Sequence, residues 1–559
     1  MAHNQSSNAG AVTVAGTVSA AGPSAVMKSA AAALAASPTE VAIARLPPHL
    51  RRYVVTQDYE AYTPRDHAVW RHILGKLSRH LADKAHPDYL EGLEKTGISL
   101  GQIPSLDDMN RRLAAIGWCA VAVRGFIPPA VFTELQSLGV LAIAADIRSH
   151  EHIEYTPAPD IVHESAGHAP ILANQRYAAY LQRCGLVGLR SILSSEDEAV
   201  FQAIRHLSVV KEDPTADAAR VQLAEERLHA ASASRRFVSE STRASRLYWW
   251  TAEYGLVGSL EAPKLFGAGL LSSIGEAESC LGPGVARVPL SLEAVETDYD
   301  ITRKQPQLFV ARDFEHLFEV LDEFEATLAW RRGGDYGLEQ AIRARTVNHL
   351  VLSDGRALTG RVVSRTVAER PVAPGLSTAL VRIEGPMMLS QGGVAIGRPL
   401  TGEALLVFGR ALPPREGPFG FELPSGLFLT GFALGGGEVV NLRGHLAGRP
   451  LDLPSCTSLF LSEHLPSVAA GPADPAAWDR WFGELNAFAA GEDEAHARAR
   501  KAATLSPELG RLYLDVEKLR IARDRGGVDA AAVAAIRARA AAHPREWLLD
   551  EEIRALSRA

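Results

Sequence analysis

Residues 159–170 read PDIVHESAGHAP, and the pair His163 and His168 decides what kind of fold this chain builds. Two imidazoles so close together suggest a metal centre, yet they stand five positions apart. On a regular α-helix five residues turn through ~500°, leaving the two side chains ~140° apart and off a common face. Gly167 and Pro170 offer a resolution. Glycine lets a helix end and proline stops its continuation, so the expectation is His163 on a helix and His168 swung back from its frayed, non-helical end. A histidine pair by itself is more often structural than metal-binding, so a third donor is needed.

Glu253, inside LYWWTAEYGLVGSLEAPK (247–264), supplies one. A carboxylate in such an aromatic and apolar stretch is costly unless it is paired, hydrogen-bonded or bound to a metal. Two neutral imidazoles and one carboxylate compose a facial triad that leaves coordination positions open on ferrous iron. Zinc hydrolases also use two histidines and a glutamate. Ligand type therefore leaves oxygenase and hydrolase both open.

The rest of the chain narrows the classes. It is 559 residues long with a formal charge of -7 and no Lys/Arg-rich run, which gives no electrostatic reason to bind nucleic acid or an anionic membrane. No apolar run reaches the ~18 residues of a membrane span. Cys119, Cys184, Cys280 and Cys456 are scattered without a CxxC pair, which argues against a zinc ribbon or disulfide framework and suits a reducing cytoplasm. Residues 1–45 are rich in Ala, Gly and Ser and read as a disordered leader. Within it MKSAAAALAAS (27–37) is too weakly apolar for a signal peptide, and Met27 is an alternative start.

Residues 46–345 read as one mostly α-helical body. YTPRDHAVWRHIL (62–74) opens a helix with Thr63 as cap and Pro64 at its first position, and 313–330 repeats apolar residues at three- and four-residue steps. From 346 to 470 short β-favouring runs such as TALVRIEG (378–385) and EALLVFG (403–409) alternate with Gly and Pro, which suggests a small antiparallel sandwich or barrel. LPSVAAGPADPAAW (465–478) reads as a linker. Residues 471–559 read as a helical C-terminal region, with Ser506 capping a helix whose seam holds Leu509, Leu512 and Val516. The expected fold class is thus multidomain: a helical catalytic domain, a small β-rich domain of unassigned role and a helical C-terminal segment.

Three stretches, in order and in register, resemble the pterin-dependent aromatic amino acid hydroxylases: YTPAPDIVHESAGHAP (155–170), YWWTAEYGL (248–256) and FGAGLLSSIGE (266–276). Weaker likeness extends over residues ~47–335. The resemblance implies a helical catalytic domain of that type, with His163, His168 and Glu253 binding Fe(2+). It implies tetrahydrobiopterin, or a related tetrahydropterin, as the second cofactor, and O2 and an aromatic amino acid as substrates. By position it places Phe132, Glu164 and Tyr248 beside the pterin, with Gly125 to Ile127 offering backbone contacts. Arg148 falls where the family holds the amino acid's carboxylate. Thr156, Pro159, Trp249, Gly269 and Ser272 match the rest of the amino-acid pocket, Ser272 also steadying His163.

Each of these has a plainer reading: Arg148 as a surface arginine, Glu164 as a helix-surface charge, one of Trp249 and Trp250 as core. Ser165 and Ala166 are smaller than the family's usual pair, and Pro128–Pro129 removes backbone donors from the pterin loop. Ile301 stands where the tyrosine-using members tend to be acidic, which favours L-phenylalanine. The implied activity is a phenylalanine 4-monooxygenase-like conversion of L-phenylalanine to L-tyrosine. The alternatives are tryptophan hydroxylation, a zinc hydrolase, or a non-catalytic amino-acid-binding regulator on the same fold. Residues 346–559 are expected to serve regulation or oligomerisation; the oligomeric state itself is not legible.

Overall fold

The computed structural model describes residues 36–150, 153, 160–212, 215–301, 303–411, 414–454, 456–483, 505–527 and 529–557. Its first element corrects the leader's extent. Ser37 accepts from the Glu40 amide while the Glu40 carboxylate accepts from the Ser37 amide, a reciprocal cap that starts the helix Pro38–Arg45. Ala42 and Leu46 are buried, so this helix belongs to the body. Residues 1–35 of the expected leader, Met27 included, lie outside the described residues.

The helix Pro64–Leu81 starts as its sequence dictates, with Thr63 and Asp66 capping each other and Pro64 at the first position. Its Trp70, Ile73 and Leu74 join Tyr177, Tyr180, Trp250, Phe266 and Phe324 in the largest hydrophobic core. The apolar face expected over 313–330 splits in two: Asp313 caps a helix Phe314–Ala326, and a short helix Ala329–Arg332 follows. Two small sheets complete this body. Strand β1 (Cys119–Val123) pairs in parallel with β2 (Val140–Ala144), the helix Pro129–Ser137 crossing between them. Strands β3 (Leu256–Val257), β4 (Lys264–Leu265), β5 (Ala286–Pro289) and β6 (Gln307–Ala311) hydrogen-bond in the order β4-β3-β6-β5.

Eleven strands then form one continuous sheet: β7 (Val347–Val351), β8 (Arg356–Val367), β9 (Thr378–Gln391), β10 (Val394–Leu400), β11 (Glu403–Phe408), β12 (Gly417–Glu422), β13 (Leu427–Gly435), β14 (Glu438–Leu446), β15 (Arg449–Pro450), β16 (Cys456–Ser462) and β17 (Ser467–Ala470). Their order is β12-β13-β14-β16-β11-β9-β8-β7-β17, with β10 on β9 and β15 on β14. The pairs are antiparallel except β11 with β16. Alternation along the central strands feeds two cores: Leu380, Leu405 and Val407 enter one, Val381, Leu406 and Phe408 the other. The second core also takes Ile192, Ala329 and Leu338, which seats the sheet on the helical body. The stretch 465–478 is no linker. Val468 is buried as β17 pairs with β7, and Asp474 caps a helix Pro475–Phe482.

The C-terminal helices Pro507–Asp524, Ala530–Ala540 and Trp547–Leu556 pack back onto the first body. Leu512, Tyr513, Leu548 and Ile553 belong to the same core as Trp70 and Leu74. Each large apolar side chain so buried contributes roughly 1.5–3 kcal/mol. Buried Arg71 of the Pro64–Leu81 helix pairs with Glu517 at 2.9 Å and Glu552 at 2.6 Å. Among the described residues, no helix is long and apolar enough to cross a membrane.

Candidate active site

His163–His168 is a π-helix, which explains the five-residue spacing. Its bonds run from i to i+5, so its wider turn brings residues five apart onto one side. The two imidazoles stand together, ring centroids 5.1 Å apart and planes at 87°. This corrects the expectation of a frayed end: the chain stays helical through Ala169–Ile171, with Pro170 in the first turn of that segment, where proline is tolerated. Gly167 serves contact instead of termination. A Cβ there would lie 2.7 Å from the Ala268 carbonyl oxygen.

A second π-helix, Trp249–Glu253, extends the helix Glu240–Tyr248 and carries the carboxylate. Thr251 anchors it, donating to the Leu247 carbonyl at 2.6 Å and accepting from the Tyr180 hydroxyl at 2.8 Å. Glu253 Oε2 lies 3.2 Å from His163 Nε2, and Oε1 lies 3.0 Å from His168 Nε2. The ligand atoms of His163, His168 and Glu253 all fall within 4.8 Å of one another, the one such grouping among the described residues.

Hydrogen bonding sets the state of the first imidazole. Ser272 Oγ donates its hydrogen to the Ala268 carbonyl at 2.7 Å, so at 3.0 Å it accepts from His163 Nδ1–H. A neutral His163 then carries its lone pair on Nε2, facing Glu253, as a metal ligand requires. Burial opposes a charged imidazole, but the carboxylates of Glu253, Glu164 and Asp160 together outweigh it and raise His163 to about 9. Burial likewise opposes the Glu253 carboxylate, but His168 and His163 hold it far below the usual carboxylate range. The cluster thus draws positive charge inward, and its three donors could hold a metal ion. Two borderline nitrogen donors and one hard oxygen fit iron or zinc.

The surrounding residues fall on two sides. On one, Phe132 meets Tyr248 edge-on at 5.9 Å, and the Tyr248 ring lies 6.3 Å from that of His168. Gln136 donates to the Tyr248 hydroxyl at 2.9 Å. Ile127 is buried beneath the Pro129–Ser137 helix, and Gly125 takes φ +58°, a left-handed conformation suited to glycine. Glu164 is buried, which rules out the surface-charge reading, and burial pushes its carboxyl above the usual range.

On the other side Arg148 is only 7% exposed, so it is no surface arginine. Its Nε and Nη2 grip Asp160 at 2.7 and 2.8 Å, a bidentate pair, and the same carboxylate accepts the His163 amide at 3.1 Å. Asp160 escaped the sequence reading, although a carboxylate three residues before a helical amide is a capping signal. Trp250 is core at 1% exposure, whereas Trp249 is half-buried and stacked between Tyr254 and Tyr299. Gly269 lies against Tyr254, whose ring a Cβ would meet at 2.8 Å. Ile301 is 42% exposed. Thr156 and Pro159 lie outside the described residues.

Comparison with known proteins identifies the family of the residues that build this site. Residues 54–211 and 215–337 match the family described as biopterin-dependent aromatic amino acid hydroxylase. The phenylalanine-4-hydroxylase of Pseudomonas aeruginosa is 30% identical over 264 residues, which cover 47% of this chain and 84% of the relative. That of Mesorhizobium japonicum is 30% identical over 286 residues, covering 50% and 87%. A solved structure of Chromobacterium violaceum phenylalanine hydroxylase with iron and phenylalanine bound is 26% identical, covers 50% of this chain and 87% of its own, and has a TM-score of 0.38. The matched span contains both π-helices and the glycine-rich segment packed between them, and the chain belongs to the biopterin-dependent aromatic amino acid hydroxylase family.

Proposed function

We propose that the chain hydroxylates the ring of L-phenylalanine to give L-tyrosine, consuming O2 and a tetrahydropterin such as tetrahydrobiopterin at one ferrous ion held by His163, His168 and Glu253. The observation that carries this reading is the convergence of those three donors within 4.8 Å. Relatives named phenylalanine-4-hydroxylase support phenylalanine as the amino acid. When bound, the iron and the pterin together supply the activation of O2 for attack on an aromatic ring.

The chain's own residues prepare that event. Ser272 keeps the Nε2 lone pair of His163 available. Phe132 and Tyr248 offer aromatic walls to the pterin, with Gly125 and Ile127 beside them. Asp160 fixes Arg148 and leaves its Nη1, 3.5 Å from the Ile153 carbonyl, able to bond the amino acid's carboxylate. Trp249, Gly269, Thr156 and Pro159 are assigned to the amino-acid pocket. Glu164, buried beside the histidines, is assigned to the pterin side. Burial of His168, Trp250 and Ser272 keeps water from the reacting centre. We take residues 46–345 as the catalytic domain and assign the sheet of 346–470 and the helices of 471–559 to support and regulation.

The test is oxygen uptake by the full chain loaded with Fe(2+) and tetrahydrobiopterin, with phenylalanine, tyrosine and tryptophan offered together. Tyrosine formation matched by O2 consumption, and lost when iron or pterin is withheld, is expected. No oxygen uptake, or hydroxylation of tryptophan in preference, would overturn the reading.

A further inference from the structure

We infer that Tyr299, which lies outside the three motifs, is a positioning residue: its ring clamps Trp249 and so sets where the amino acid's ring rests. This rests on the phenylalanine reading above. The Trp249 indole is stacked on both faces, by Tyr299 at 4.3 Å and 9° and by Tyr254 at 4.5 Å and 27°. Its Nε1 is buried without a hydrogen-bond partner, so stacking, not a polar contact, fixes its plane.

Tyr299 is held in turn. Its hydroxyl and Ser245 Oγ are 2.8 Å apart. The stretch around it is fastened to the same helix at neighbouring points: Arg246 Nη1 reaches the carbonyls of Val295 and Glu296 at 3.5 and 3.4 Å, and Trp250 Nε1 donates to that of Thr297 at 2.9 Å. Thus Ser245, Arg246, Trp249 and Trp250 together bind 295–299 to the helix that runs into the Glu253 turn. Tyr254 directly follows Glu253 and lies against Gly269. The stack therefore runs from Tyr299 through Trp249 and Tyr254 to the iron side.

The chemical consequence concerns coupling. In productive turnover O2 takes two electrons from the tetrahydropterin and two from the aromatic substrate, giving tyrosine, dihydropterin and water. With the ring misplaced, the pterin's two electrons and two protons reduce O2 to hydrogen peroxide and no tyrosine forms. Misplacement by ~1 Å is enough to cost ~100-fold in a reacting geometry.

The experiment compares the wild type with Tyr299→Leu and Tyr299→Phe in the full chain. Readouts are the phenylalanine KM, tyrosine formed per pterin oxidised, bound iron, and calorimetric affinity of the iron-free protein for phenylalanine. Y299L is expected to raise the KM roughly 5-fold, weaken calorimetric binding similarly and at least halve the coupling ratio, at unchanged iron content. Y299F keeps the stacked ring and should stay within about 2-fold of wild type. A folded Y299L equal to wild type overturns the inference, as does a Y299F as impaired as Y299L. Should Y299L not fold, Tyr299→Met, which fills the space without a ring, carries the same comparison; an unchanged phenylalanine KM then overturns it. A wild type that makes no tyrosine removes the proposed function and this inference with it. A wild type that makes tyrosine beside an unaffected Y299L defeats this inference only.

Discussion

Ser272 gives its only hydrogen to the Ala268 carbonyl and so fixes the proton of His163 on the nitrogen that faces away from Glu253. Ser272→Ala frees the imidazole to turn or change tautomer. Iron affinity is expected to fall about 10–100-fold, measured by competition with a chelator, while the fold persists. Asp160 plays a different part, since it compensates the buried Arg148 guanidinium. Asp160→Asn leaves that cation without a carboxylate, and a loss of about 3–5 kcal/mol in denaturant titration is expected. At this scale the sequence is informative wherever a residue's chemistry is unusual for its surroundings, as with Glu253 among aromatics. It is silent where the partner comes from elsewhere in the chain: Arg148 meets Asp160 across twelve positions and Trp249 meets Tyr299 across a fold-dependent contact.

The π-helix is the element on which the site depends. Two imidazoles five apart diverge on an α-helix and converge on this wider turn, which needs the close approach of Gly167 to Ala268. Gly167→Ala is expected to push the two segments apart, costing about 1–3 kcal/mol and most of the bound iron, as read by thermal melting and metal analysis. Caps and amphipathic faces were legible before the structure: Thr63 starts its helix, Ser506 starts the Pro507–Asp524 helix, and the apolar steps from 313 mark the helix Phe314–Ala326. The π-turn was not, because its spacing looks like a broken α-helix. Strand β17 was missed for a related reason. Ser467–Ala470 has weak β-propensity, and its pairing with β7 decides its conformation.

Across the whole molecule the seam between body and sheet contains a buried acid. Glu240 accepts the amides of Ala329 at 2.7 Å and Ile192 at 3.2 Å, both residues of the shared core. Burial outweighs those bonds and lifts its carboxyl to about 7, above the 4.5 of the free group. The folded chain therefore holds this proton more tightly than the unfolded one. The contribution to stability is full below about pH 4.5 and is lost as pH rises through about 7, a change of about 3 kcal/mol. The stability of Glu240→Gln relative to wild type should rise by that order between pH 5 and pH 8; parallel pH profiles would refute the assignment. Residues of the C-terminal helices also reach the catalytic body: Glu517 and Glu552 neutralise Arg71 from 446 and 481 residues away, a relation that no local pattern reveals. A chain ended at residue 504 should melt roughly 5–10 °C lower. The account's central claim is one ferrous ion on three side chains, and anomalous diffraction at the iron edge from crystals of the loaded full chain tests it most directly. A single peak within coordination distance of His163 Nε2, His168 Nε2 and the Glu253 carboxylate is expected; a peak elsewhere, or none despite iron in the crystal, would contradict it.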